Sequence, residues 1–166
     1  MMGDYSILQI FVDKKKDMII VPYKLCKIGY TLAVEPYRKV NSVDWEADWE
    51  IVYKEVTELL KEISKQPRTE QTESTVMKEI CGGKGFKQFS KKHICIEIKY
   101  RIDDEKFIIS NVPRLSDGSY GIEKNTISEK YSVEYISTDD VALIQENFLK
   151  AYLDAELYLQ EIGSKL

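Results

Sequence analysis

Between Trp45 and Ile63 the apolar residues return at steps of three and four: Trp45, Trp49, Val52, Tyr53, Val56, Leu59, Leu60 and Ile63. At about 100° per residue they fall within an arc of about 120°, the width of a stripe that a helix buries against one neighbour. Neither glycine nor proline interrupts the chain between Pro36 and Pro67. Asn41 or Ser42 offers a side-chain oxygen as N-cap, and Asp44 and Glu46 place negative charge where the helix dipole favours it. The spacing predicts a helix from Val43 to about Lys65. A helix apolar on one face only must lie on something else, so the rest of the chain has to supply a surface.

Hairpins supply it. Tyr5 to Val12 and Met18 to Val21 are short, β-branched runs separated by the polar turn Asp13 to Asp17. Pro22 lacks an N–H and is expected to end the second strand. Gly29 precedes a third strand from Tyr30 to Glu35, closed by Pro36. Further on, Ile94, Ile96, Ile98 and Tyr100 alternate with Cys95, Glu97 and Lys99, the period of a half-buried strand, and a DDEK turn leads into Phe107 to Ser110. Tyr120 to Ile122 and Tyr131 to Ile136 read as additional strands, for five to eight in all. Gln66 to Ser74 is polar and aperiodic and reads as an exposed connection. It precedes a short helix over Thr75 to Ile80, a glycine-rich turn at Gly82, Gly83 and Gly85, and a helical turn presenting Phe86 and Phe89. The halves echo each other weakly, MIIVPYKLCKIGY against FIISNVPRLSDGSY.

Thr138, Asp139 and Asp140 open a last helix that runs to Gly163, with Val141, Ile144, Phe148, Ala151, Tyr152, Ala155, Leu159 and Ile162 toward the core. Leu149, Leu153 and Leu157 form a second stripe about 150° away, a surface open to a partner or to a second copy of the chain. The expected fold is therefore α+β: one globular domain over residues 1–166, with a mainly antiparallel sheet built from hairpins and packed with two long amphipathic helices.

Composition narrows function by exclusion. No run approaches the roughly 18 uncharged apolar residues of a membrane span. The first residues carry an acid before their apolar run and lysines after it, the reverse of a secretory signal, so the expected location is the cytoplasm. Three cysteines match neither a disulfide framework nor a CxxC site. A net charge of −4 argues against nucleic acid and for a basic partner. His93, the single histidine, has no Cys or His at ligand spacing, which leaves no zinc set and no Cys-His nucleophile pair with an orienting third group. The glycines of Ile80 to Phe86 miss the phosphate-loop pattern, because Lys84 is followed by Gly85 and not by a hydroxyl residue. No catalytic residue, metal or cofactor is assigned. The alternative is a small carboxylate-dependent enzyme whose acids meet only in three dimensions, or an adaptor.

One surface stands out. On the first helix Asp48, Glu55, Glu58 and Glu62 lie within about 80° of one another, away from the core stripe, with Ile51 among them. Such a face is either solvated and paired with Lys54 and Lys61, or a contact patch in which acids steer a basic protein and Ile51 anchors it.

The apolar strand Met18 to Pro22, the Gly29-Tyr30 pair, the Glu35-Pro36 step, the acidic helix that follows, and Gly85 to Phe89 leading into a strand and hairpin occur in an order that resembles the immunity proteins of contact-dependent growth inhibition and related polymorphic toxin systems. The resemblance spans most of the chain. It implies a cytoplasmic, non-catalytic inhibitor that binds a cognate toxin domain, commonly a nuclease, and blocks its active site or an associated surface. It transfers no catalytic residue.

Overall fold

The computed structural model describes residues 5–41 and 44–166. The expected cap at Ser42 and the expected helix start at Val43 lie outside the described residues. Seven strands form one antiparallel sheet: β1 (Tyr5–Asp13), β2 (Met18–Leu25), β3 (Thr31–Ala33), β4 (Arg38–Val40), β5 (His93–Arg101), β6 (Lys106–Val112) and β7 (Tyr135–Ser137). The order across the sheet is β3-β2-β1-β5-β6-β7, with β4 also pairing β2. Two long helices, α1 (Trp49–Ser64) and α5 (Val141–Glu161), accompany three short ones, α2 (Val76–Cys81), α3 (Phe86–Lys91) and α4 (Ile127–Lys130). This is the expected α+β class.

Both long helices cover one face of the sheet. Leu8, Ile10, Ile20, Ile96, Ile98, Phe107 and Ile109 point from the strands into a core with Val52, Val56, Leu60, Ile144, Phe148 and Ala151. Trp45 and Trp49 close it around Phe148, Trp45 edge-on and Trp49 tilted, at ring-centroid distances of 5.2 and 5.3 Å. The opposite face is covered at one end by α2 and α3, where Phe11, Val21, Val76, Phe89 and Cys95 form a smaller core. Cys95 is therefore as buried as its neighbours, and β5 is two-sided here, which its alternation with Ile94 and Ile96 concealed.

The register repeats. β1 and β5 run antiparallel through the facing pair Gln9 and Glu97, and each continues into a hairpin. Met18, Ile19 and Ile20 of β2 face Val40, Lys39 and Arg38 of β4, while Phe107, Ile108 and Ile109 of β6 face Ser137, Ile136 and Tyr135 of β7. A long helix follows β4 and another follows β7. The two halves are thus related by a pseudo-two-fold axis normal to the sheet, and the segments with echoing sequence occupy equivalent hairpins.

Several local expectations are corrected. Pro22 does not end β2, which continues to Leu25. Its carbonyl accepts from Val34 N at 2.9 Å, so its missing N–H faces the break between β3 and β4 and costs no bond to β1. The third strand is shorter than Tyr30 to Glu35, and β4 follows the cis Glu35-Pro36 peptide. Tyr120 to Ile122 forms only an isolated bridge, Tyr120 to Arg114. The stretch from Tyr131 to Ile136 keeps only β7, and α4 precedes it, capped by the Thr126 side chain. The first helix begins at Trp49: the Asp44 carboxylate accepts from Ala47 N at 3.1 Å and winds residues 45–48 into a separate turn. At α5 the Asp140 carboxylate accepts from Leu143 N, as an N-cap should, but Val141 and Ile162 are exposed and are not core.

Candidate functional site

The apolar stripe of α1 is buried as expected, which turns the opposite face outward. Asp48 is the residue before the first helical turn, and Ile51, Glu55, Glu58 and Glu62 follow at steps of three and four. Ile51 is 56% exposed, a large value for an isoleucine on a helix whose other apolar residues are packed away. Glu58 and Glu62 are exposed, and neither takes part in an ion pair among the described residues. Glu55 is half-buried and meets Arg38 of β4 at 3.4 Å. Arg38 escaped the sequence reading, since only the β2–β4 pairing brings it beside α1.

The lysines expected to neutralise this face do otherwise. Lys61 reaches Asp139, ahead of α5, at 3.3 Å, and Tyr53 donates to the same carboxylate. That bond, together with burial, raises the Tyr53 hydroxyl to about 12. Lys54 forms no ion pair among the described residues. Glu58 and Glu62 therefore stand exposed beside Ile51, with no ion pair among the described residues.

The second stripe divides. Leu149 is half-buried and packs against the main core, whereas Leu153 and Leu157 are 52% and 39% exposed. The connection over residues 66–74 is largely exposed and is bonded along β2 and β3: Thr69 exchanges backbone bonds with Leu25 and Lys27, and Ser74 Oγ donates to Ala33 O at 2.5 Å.

Residues with reactive chemistry are engaged structurally. His93 Nδ1 lies 2.8 Å from Phe89 O and its ring stacks on Phe89 at 3.9 Å; burial is the largest effect on it and lowers its pKa. Burial raises the thiols of Cys81 and Cys95, the reverse of what a nucleophile needs. Among the carboxyls, Asp154 is raised by burial, against a hydrogen bond from Tyr135 Oη at 2.8 Å. Among the described residues no three of His, Cys, Asp and Glu gather as metal ligands, and no helix is long and apolar enough to cross a membrane.

No protein-family model and no curated protein matches the chain. The fold, however, is similar to solved structures. A protein of unknown function from Neisseria meningitidis superposes with a TM-score of 0.61 at 12% identity, over 90% of this chain and 94% of the other. One chain of a CdiA-CT/CdiI toxin and immunity complex from Yersinia pseudotuberculosis superposes with a TM-score of 0.50 at 13% identity, over 92% of this chain and 98% of the other. At these identities the likeness is one of fold.

Proposed function

We propose that the protein is an immunity protein that binds a cognate bacterial toxin domain in the cytoplasm and neutralises it without turnover. The observation that carries this reading is the similarity of fold, over nearly the whole of both chains, to one chain of a toxin and immunity complex. The outward face of α1 supplies the contact: Asp48, Glu55, Glu58 and Glu62 steer a basic toxin surface, a nuclease domain being the class the resemblance implies, and Ile51 enters an apolar pocket on it. Exposed carboxylates act mainly on the encounter rate, while a buried anchor acts on residence time. The net charge of −4 favours the same kind of partner.

The test is genetic and biochemical together. The gene beside this one is expressed as a toxin in cells with and without this protein. Growth rescue with copurification of the two chains supports the reading. Rescue by a mechanism that needs no complex, or failure of this protein to rescue growth from the product of any neighbouring gene, contradicts it.

A further inference from the structure

A cleft of about 510 Å³ opens between α3, the turn over residues 115–119 and the end of α5. Its charged lining is of one sign: Lys87, Lys91, Arg114 and Lys165. None of the four forms an ion pair among the described residues, although the chain as a whole carries 28 acids against 24 bases. The quasi-equivalent cleft past the end of α1 makes the contrast, because there Glu35 and Glu73 accompany Lys24 and Arg68.

Helix capping does not account for these cations. The last carbonyls of α5 are satisfied by the backbone: Gly163, at φ +71°, donates to Gln160 O and Ser164 donates to Leu159 O at 2.8 Å, the paired bonds of a Schellman motif. Two of the cations, Arg114 and Lys87, are instead held in place. Arg114 Nη2 donates to Ser164 Oγ at 2.9 Å, and Tyr158 Oη donates to the Arg114 carbonyl at 2.7 Å. The stem of Lys87 lies so close over Gly118 that a Cβ there would come within 2.8 Å of Lys87 Cγ. Gly118 also has φ +89°, so space and backbone both call for glycine. Lys87 and Lys91 share one face of α3. The one acid of the turn, Asp117, accepts from the amide and hydroxyl of Ser119, at 2.9 and 2.6 Å. Leu115 and Ile162 add apolar surface.

We infer that this cleft binds a small molecule bearing two or more phosphate groups, with the phosphates among the four cations and its remainder against Leu115 and Ile162. The volume lies in the range of small-ligand sites, and four cations that form no ion pair among the described residues, with the charge of Asp117 acting on Lys87, are most stabilised by a compact polyanion. The site shares no residue with the acidic stripe, so it stands or falls apart from the toxin reading.

Calorimetric titration of the full chain with inorganic tripolyphosphate at low salt tests it. Saturable binding is expected with a Kd below about 1 mM. Lys87→Glu combined with Lys91→Glu is expected to weaken it at least about tenfold, and Lys165→Glu, beyond the last helix and without consequence for folding, by about threefold or more. Lys14→Glu with Lys15→Glu, which changes net charge equally at the exposed β1–β2 turn, is expected to leave affinity within about twofold. No binding by the natural chain, equal loss in the turn variant, or full affinity in the cleft variants would overturn the inference.

Discussion

The ammonium of Lys24 donates to the carbonyl oxygen of Ile63 at 3.0 Å, so β2 is bonded directly to the last turn of α1. Lys24 is 8% exposed, an unusual position for a lysine, and burial lowers its pKa. It adds a charged donor to a carbonyl that already accepts from the backbone N–H groups of Lys65 and Gln66, and places positive charge at the negative end of the dipole. Lys24→Met keeps the volume and removes the donor. It should destabilise the fold by about 1 to 3 kcal/mol in urea unfolding. Unchanged stability would mean that desolvating the ammonium cancels the bond.

Phe148 is fully buried between Trp45 and Trp49, where α5 meets the start of α1. Phe148→Ala leaves a cavity under both indoles and should cost about 3 to 5 kcal/mol, read from the shift of the denaturant midpoint. A loss below about 1 kcal/mol would show that the aromatic cluster collapses into the gap.

The leucine stripe of α5 should separate into two classes. Leu153→Ala removes an exposed side chain and should change stability by less than about 0.5 kcal/mol, whereas Leu149→Ala, on the edge of the core, should cost about 1 to 2 kcal/mol. Equal losses would place Leu153 in an interface that forms in solution, and light scattering on the same samples would report it.

Asp154 gives a pH signature. Its carboxyl lies above the usual carboxylate range, chiefly through burial. Between the ordinary and the raised value the folded chain binds more protons than the unfolded one, so this group's contribution to stability falls as pH rises through that window and stays lower above it. Asp154→Asn keeps an acceptor for Tyr135 and removes the titration. Its stability relative to the natural chain should therefore improve as pH rises through the window between the ordinary and the raised value and then level off. A difference that does not vary with pH contradicts the assignment.

Periodicity carried most of the architecture. The stripe from Trp49 to Ile63 and the alternation of Ile94, Ile96 and Ile98 each reflect burial against one continuous core, and burial is what a pattern records. Elements decided by pairing were hidden. Arg38–Val40 is three residues of mixed polarity that become a strand only against Met18–Ile20, and α4, at four residues, is too short to show a helical period. Pro22 misled because a sequence does not say which side of a strand the missing N–H faces. The acidic stripe could be read from the helix itself, since its direction follows once the core stripe is assigned. Its electrostatic setting could not, because the partners Arg38 and Asp139 come from distant segments. The cationic cleft was invisible for the same reason: Lys87, Arg114 and Lys165 are far apart in the chain and meet only around the end of α5.

The outward face of α1 is the proposed contact for the toxin, and the affinity of one double variant tests that proposal most directly. Ile51→Asp with Glu58→Lys alters two exposed side chains and should leave the unfolding midpoint where it is. Titrated calorimetrically against the cognate toxin domain, the variant should bind at least about 100-fold more weakly than the natural chain, a loss of about 2.7 kcal/mol. Affinity equal to that of the natural chain would contradict the account.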